Sequence, residues 1–161
     1  MLELRLAAFD DPDVVALNTD LQATYDELYG FGDQTVMTAA EFVPPHGCYL
    51  LGVEDGRPVA TGAWRAHGAD PADPERRDGD AEIKRMYVVP GARGRGYARA
   101  LLAELERTAA ASGRSRAILE TGTIQPEAIA LYRSSGYQPI GSFGAHRDDP
   151  RAACFAKPLT G

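Results

Sequence analysis

Cysteine and histidine are scarce in this chain. Of its 161 residues, two are cysteine (Cys48 and Cys154) and three are histidine (His46, His67 and His146). Neither set has the short paired spacing of a zinc, redox or disulfide framework, so no metal is expected. Because free cysteine is often buried, both thiols are predicted to lie in or near the core. The histidines fall in separate loops and are predicted to be surface residues.

The chain also lacks a long apolar run. None of its apolar stretches could cross a bilayer, so no membrane partner is expected. Residues 1–9 alternate charged and apolar side chains, unlike a signal peptide, and predict a first strand and a cytoplasmic protein. The length suits a single domain over residues 1–161.

Positive charge is in deficit overall but concentrated in one region. The 17 basic and 23 acidic residues give a net charge of −6, which argues against nucleic acid as the main partner. Arginines crowd the middle of the chain, where a phosphorylated cofactor could use some of them: Arg85, Arg93, Arg95, Arg99, Arg107, Arg114 and Arg116. Of these, Arg99 and Arg107 are predicted to lie on a solvated helix face.

Glycine, by contrast, is concentrated where it is informative. Residues 91–98 are Gly-Ala-Arg-Gly-Arg-Gly-Tyr-Ala. Gly94 and Gly96 leave backbone N–H groups uncovered, so several donors can converge on one anion at the start of the following helix. Arg93 and Arg95 add positive charge there. Because such short motifs also occur in ordinary connectors, the flanking segments have to decide.

The flanks predict a strand over 81–90 and a helix from residue 98 that ends at Ser112-Gly113. The remaining pattern predicts further elements: strands over 2–7, 47–53, 58–65, 115–121, 137–143 and 152–157, helices over 14–29 and 125–132, and a short helical turn near 38–42. A ligand cleft is expected at the carboxyl ends of the strands over 81–90 and 115–121, which would run parallel.

These residues resemble the GNAT superfamily of acyl-CoA-dependent N-acetyltransferases. Its cofactor signature is Gln or Arg, two variable residues, Gly, one variable residue, then Gly or Ala, and Arg93, Gly96 and Ala98 fill it. The resemblance is strong over residues 81–140. It implies an α/β fold (an α+β mixed sheet) of six or seven mostly antiparallel strands with about four helices. A central parallel pair would splay apart and admit the pantetheine arm of acetyl-CoA.

The resemblance also implies where the cofactor binds. The strand segment Met86, Tyr87 and Val88 would pair with pantetheine, and an N–H near Met86 would meet the thioester oxygen. Gln125 stands where many relatives carry an asparagine that touches pantetheine. The pyrophosphate would bind at Arg93, Gly94, Arg95, Gly96, Tyr97 and Ala98.

Glu82 is the predicted general base. It stands where histone-acetylating members carry that group, and spacings of two along the strand predict that it shares a face with Lys84, Met86 and Val88. Its alternative role is an ion pair with Lys84. Glu120, on the neighbouring strand, competes for the base role or could bind the substrate ammonium.

Three tyrosines complete the predicted site. Residues 130–137 resemble the family helix in which a tyrosine faces the cofactor sulfur, so Tyr132 is the predicted acid that protonates the departing thiolate. Tyr25 and Tyr29 are predicted to line the acceptor cleft. The alternative is that all three are core residues. His46 and water are further candidates for the base.

Together these features predict an acetyl-CoA-dependent N-acetyltransferase that acts on a primary amine of a small molecule or peptide, within a ternary complex. The alternative is a non-catalytic acyl-CoA-binding or sensing module on the same fold. A nucleotide-binding protein is weaker, because the loop lacks the lysine and Ser/Thr of a P-loop. A homodimer is left open, as is the identity of the amine.

Overall fold

The computed structural model describes residues 1–160, which form a seven-stranded sheet with helices on both faces. The elements follow one another in this order: β1 (Leu2–Ala7), α1 (Pro12–Tyr29), a 3-10 helix (Ala39–Phe42), β2 (Gly47–Glu54), β3 (Arg57–His67), β4 (Asp80–Val88), a second 3-10 helix (Pro90–Ala92), α2 (Tyr97–Ala111), β5 (Arg116–Gly122), α3 (Pro126–Ser134), β6 (Gln138–Ile140) and β7 (Ala152–Pro158).

The sheet order is β1-β2-β3-β4-β5-β7-β6, and within residues 1–160 only β4 and β5 run parallel. These two strands pair at three registers, from Asp80 opposite Arg116 to Glu82 opposite Ile118, and then diverge. The predicted mixed sheet with a splayed central pair is confirmed. The described residues form three α-helices rather than about four, because the predicted turn near 38–42 is a four-residue 3-10 helix.

The helices cover the sheet from opposite sides. α1 begins at Pro12, where the Asp11 carboxylate accepts hydrogen bonds from the backbone of Asp13 and Val14, and it ends at Gly30 with φ of 84°. Its buried side chains pack on one face of the sheet: Val14, Leu17 and Leu21. α2 buries a stripe against the other face: Leu101, Leu102, Leu105 and Ala109. This arrangement leaves the diverging ends of β4 and β5 between the two layers.

A β-bulge in β4 changes which side chains share a face. Pairing with β3 shifts between Thr61 and Ala63, and Arg85 has a positive φ of 58°. Beyond the bulge, Met86 and Val88 pack in the α2 cluster, whereas Glu82 and Lys84 bond to groups on the α1 side. The prediction that these four side chains share one face is therefore wrong, because the extra residue inverts the alternation.

Cys48 and Cys154 are free and buried, which confirms their prediction as core thiols. Within residues 1–160, no three metal-binding side chains of the His, Cys, Asp or Glu type converge on one point. In the same range, no helix has the length and apolar character that a membrane span requires.

Candidate active site

A cleft of about 590 Å³ opens where β4 and β5 diverge. Its size is typical of small-molecule sites. It is lined by ten of the eleven residues predicted to bind the cofactor: Met86, Tyr87, Val88, Arg93, Gly94, Gly96, Tyr97, Ala98, Gln125 and Tyr132. The remaining one, Arg95, does not line it, because its side chain donates to Glu54 Oε1 (2.7 Å) and to the Gly91 carbonyl.

One end of the cleft has backbone features that suit an anion. Gly94 and Gly96 both have φ of 79°, a conformation that side chains disfavour, and Gly96 is the N-cap of α2. Among the described residues, no side chain caps that helix start. The first N–H groups of α2 thus remain available at the positive end of the helix dipole.

Arg93 fastens this loop to the sheet. Its Nε donates to the Val88 carbonyl (2.9 Å), and its guanidinium lies 5.7 Å from the centre of the Tyr87 ring. The Arg93 guanidinium, which was predicted to bind the pyrophosphate, thus also holds the loop at the end of β4. The contact also occupies one lone pair of a carbonyl that was predicted to pair with pantetheine.

Tyr132 lies in the wall of the cleft, on α3. Its side chain is almost buried, and its hydroxyl points to the Met86 sulfur at 4.0 Å. Its ring packs against Tyr137 and Phe155, with centroids 5.8 and 6.5 Å away. Burial raises the pKa of Tyr132 to about 12, which keeps the phenol protonated at neutral pH.

A smaller pocket of about 90 Å³ adjoins the cleft on the α1 side. Its walls include Tyr25 and Tyr29, the two tyrosines predicted for the acceptor cleft, together with Phe31. Tyr29 donates its hydroxyl to Gln125 Oε1 (2.7 Å). A side chain at Gly122 would overlap that hydroxyl, so the close approach requires glycine there. The cleft and the pocket share a boundary: Tyr25, Ile83, Lys84, Arg85, Glu120, Thr121 and Gln125.

Glu82 lies outside both cavities, in a buried cluster of charges. Its Oε1 accepts a hydrogen bond from Arg65 Nε (3.0 Å) and lies 2.6 Å from His67 Nε2, and Lys84 Nζ is 3.9 Å from its Oε2. Burial alone would raise the pKa of Glu82. The bond from His67 and the charges of Lys84 and Arg65 outweigh it and lower that pKa to about 2. Such a carboxylate is a poor proton acceptor at neutral pH.

Glu120 has the opposite environment. It lies on the boundary between the cleft and the pocket, and its carboxylate accepts no hydrogen bond from the described residues. Burial raises the pKa of Glu120 to about 7, against the lowering effect of His146 and Lys84 nearby. A group that titrates near neutral pH can take up and release protons under ordinary conditions.

Sequence reasoning missed several charged residues of the pocket: Asp33, Lys84, Arg85, His146 and Arg151. The available signal was the pair Lys84-Arg85, two adjacent basic residues within one strand, where simple alternation would place them on opposite faces. The surface prediction is wrong for two histidines, because the His67 side chain is 11% exposed beside Glu82 and that of His146 is 16% exposed beside Asp33.

The geometry agrees with comparisons to known proteins. The sequence matches the model of the Acetyltransferase (GNAT) family over residues 14–137. The chain belongs to this family. A curated relative, "IAA acetyltransferase" of Azospirillum brasilense, is 34% identical over 146 residues, which cover 91% of this chain and 90% of that protein.

Solved structures show the same GNAT fold. An acyl-CoA N-acyltransferase structure from Klebsiella pneumoniae has a TM-score of 0.79 at 29% identity, with 99% of each chain covered. An N-acetyltransferase of Thermoplasma acidophilum, solved with coenzyme A, has a TM-score of 0.68 at 12% identity, covering 98% of this chain and 99% of that one. The chain is thus an acyltransferase with the fold of acyl-CoA-dependent enzymes.

The residues present fit acyl-CoA. The uncapped start of α2 and the two positive-φ glycines offer backbone donors to phosphate oxygens, without side chains in the way. The rest of the cleft follows the diverging edge of β4 toward Tyr132. When bound, the thioester supplies the activated acyl group.

Proposed function

We propose that this GNAT enzyme transfers an acetyl group from acetyl-CoA to a primary amine of a small molecule or peptide, by direct attack within a ternary complex. The observation that carries the proposal is the shared boundary of the cleft and the pocket, where Glu120 lies. An amine in the pocket would lie next to the acyl end of the cleft. Both reactants could therefore be held together without an acylated enzyme.

We infer that Glu120, rather than Glu82, is the general base. A base must reach the proton that it removes and must have a pKa near the working pH. Glu120 lines the pocket with a pKa of about 7. Glu82 is occupied by Arg65 and His67, and the pKa of about 2 leaves little basicity. Its better supported role is to hold β3 and β4 together.

Tyr132 is the proposed general acid. Its hydroxyl lies in the wall of the cleft beside Met86, and its raised pKa keeps a proton available for the departing thiolate. The backbone N–H of Met86 is the proposed donor to the developing oxyanion, since β4 no longer pairs with β5 beyond Glu82. The proposed base thus lies on β5, the oxyanion donor on β4 and the general acid on α3.

No feature of the site favours a binding module without catalysis. A carboxylate that titrates near neutral pH at the junction of two cavities is not required merely to bind acyl-CoA. Family membership also replaces the nucleotide-binding alternative. We further infer a cytoplasmic location, which the two free thiols suit.

The test combines binding with turnover. Acetyl-CoA at about 100 times its Kd should raise the melting temperature by roughly 5–10 °C, and longer acyl-CoAs should raise it less. A panel of amines is then assayed for release of the CoA thiol. Stabilisation by acetyl-CoA without amine-dependent thiol release would favour the binding module, and no stabilisation would contradict the cofactor assignment.

A further inference from the structure

Arg85 occupies an unusual backbone position at the mouth of the acceptor pocket. It is the bulged residue of β4, with a φ of 58°. Positive φ is uncommon for residues other than glycine and persists only where the surrounding structure enforces it. Its side chain is 12% exposed and borders both the cleft and the pocket. The bulge therefore brings a guanidinium to the place where the two cavities meet.

The guanidinium is anchored at one nitrogen only. Arg85 Nε donates to Asp33 Oδ2 (3.2 Å). Asp33 is itself fixed by Lys84 Nζ (2.7 Å) and by Thr35 Oγ1 (2.6 Å). Within residues 1–160, the two terminal nitrogens of Arg85 have no hydrogen-bond partner. Their N–H groups form a planar fork that matches the two oxygens of a carboxylate.

The other lysine and arginine side chains of the pocket already have carboxylate partners. Lys84 is bonded to Asp33, and Arg151 is bonded to Asp149 through Nε (3.1 Å) and Nη2 (2.9 Å). Arg151 also donates to the Tyr29 carbonyl. Arg85 shares Asp33 with Lys84, so one carboxylate serves two cations. The terminal nitrogens of Arg85 and the carboxylate of Glu120, on β5, thus border the same two cavities without a hydrogen-bond partner among the described residues.

We propose that the acceptor carries a carboxylate beside its amine, and that Arg85 binds this carboxylate while the amine faces Glu120. The substrate class is then amino acids or close analogues, with Tyr25, Tyr29 and Phe31 against the remaining part of the molecule. This inference rests on the proposed function. Arg85 is a specificity-determining residue in it and performs no proton transfer.

The test compares matched acceptors that differ only in the carboxylate. L-Phenylalanine, L-methionine and L-aspartate are assayed against their α-amides at saturating acetyl-CoA. The wild-type enzyme should prefer the best acid over its amide by about 10- to 100-fold in kcat/KM, the factor that a charge-assisted bidentate contact supplies. The α-amino group of an amino-acid amide is less basic than that of the free acid, so more of it is unprotonated at neutral pH. Intrinsic reactivity therefore favours the amide and works against the expected preference for the acid.

Variants of Arg85 test whether this residue causes the preference for the acid. Arg85→Gln should remove most of the acid preference while the amide changes less than about threefold, and Arg85→Lys should retain part of it, since lysine keeps the charge but loses the fork. Arg107→Gln is the matched control: it removes one positive charge from an exposed side chain outside both cavities. Affinity for acetyl-CoA, measured by calorimetry, should be the same in all variants.

The outcomes separate this inference from the proposed function. Turnover of amines with no acid preference in the wild type would overturn the role of Arg85 and leave the acetyltransferase intact. Equal losses for acid and amide in Arg85→Gln would show a structural role for the bulge, and weakened acetyl-CoA binding would reassign Arg85 to the cofactor. No turnover of any amine would overturn both. The acid-to-amide ratio is measured on the wild-type enzyme, so this test does not depend on whether a variant folds.

Discussion

The two halves of the β4–β5 pair place the same kind of side chain in opposite chemical states. In the paired half, Glu82 lies at the last register, opposite Ile118, within a cluster of positive groups. In the splayed half, Glu120 lies two residues beyond that register, and its carboxylate has no hydrogen-bond partner among the described residues. The pKa is about 2 for Glu82 and about 7 for Glu120.

Burial acts in the same direction on both carboxylates, so partners account for the difference. Arg65 and His67 bond to Glu82 from β3, across an intact ladder. Glu120 borders the cavities where β4 and β5 diverge, and the described residues place no hydrogen-bond partner there. Where strands pair, charge is matched and contributes to stability. Where they part, the Glu120 carboxylate is left without a hydrogen-bond partner among the described residues and titrates near neutral pH.

The largest expected effect comes from Glu120→Gln. Loss of the base should lower kcat/KM for the amine by about 10²- to 10⁴-fold and remove the limb in which the wild-type rate rises through about pH 7. Thiol release across pH 5–9 measures this, with acetyl-CoA affinity as the control. An unchanged profile would return the base role to another group or to water.

The same variant should gain stability at high pH. Because the folded state raises the pKa of Glu120 above its ordinary 4.5, the wild type loses stability as pH rises from that value through about 7. Glutamine at this position has no such loss. The free energy of unfolding, measured with urea at pH 5 and pH 8, should therefore be higher for the variant than for the wild type only at pH 8.

Glu82→Gln should instead act on stability. Removing one partner from a buried charge cluster costs about 3–5 kcal/mol, and we expect the lower end because Arg65 keeps its bond to Glu41 (3.0 Å). The folded state lowers the pKa of Glu82, so its contribution is present above the ordinary carboxyl value of 4.5 and fades as pH falls toward about 2. Urea unfolding should show the difference at pH 7 and a smaller one near pH 3.

The enzyme kinetics of Glu82→Gln test whether Glu82 and Glu120 have these separate roles. If Glu82 only holds β3 to β4, a folded sample of Glu82→Gln should keep its pH profile at temperatures well below its melting point. Loss of the acidic limb in Glu82→Gln, with the limb retained in Glu120→Gln, would reverse the assignment of the two halves.

Tyr132→Phe tests the splayed half on the acid side. The variant keeps the ring packed on Tyr137 and Phe155 and loses only the hydroxyl. We expect kcat and kcat/KM to fall together by about 10²-fold, with little change in melting temperature or acetyl-CoA affinity. A thioester with a better leaving thiol should recover much of the loss. Full activity would identify Tyr132 as a core residue.

Gly96→Val should have the smallest of these effects on function, through the binding of acetyl-CoA. A β-branched residue disfavours the φ of 79° at the start of α2 and covers its N–H donors. The loss of one charge-assisted hydrogen bond, about 1.5–3 kcal/mol, would weaken acetyl-CoA binding by about 10- to 100-fold in calorimetry. Gly113→Val is the matched control, since Gly113 has a φ of 86° but lies at the far end of α2. Equal affinity in both variants would contradict the phosphate site.

Local patterns were sufficient for most of the fold and for the cofactor cleft. The predicted bounds of β1 and the end of α1 at Tyr29 coincide with the structure, because alternation and helical periodicity follow from the side chains themselves. The glycine loop lies at the start of α2 as predicted, since positive φ and uncovered donors are properties of glycine.

The pocket on the α1 side depends on contacts that no local pattern encodes. The bulge at Arg85 inverts the faces of β4 beyond it, so the regular alternation of a strand predicted the wrong face for Met86 and Val88. His146 reaches Asp33 across more than a hundred residues. Long-range pairs of this kind form only when distant loops pack together.

The sequence alone thus determined the family resemblance, the order of elements and the place of the glycine loop at the start of α2. Those properties depend on residues that are close in the chain, whose conformational preferences act locally. Only the tertiary structure decided which carboxylate is buried among cations and which faces an open pocket, and where Arg85 points its free nitrogens. The pKa of a side chain depends on its neighbours in space, and in this fold those neighbours come from β3, the loop after α1 and the loop before β7.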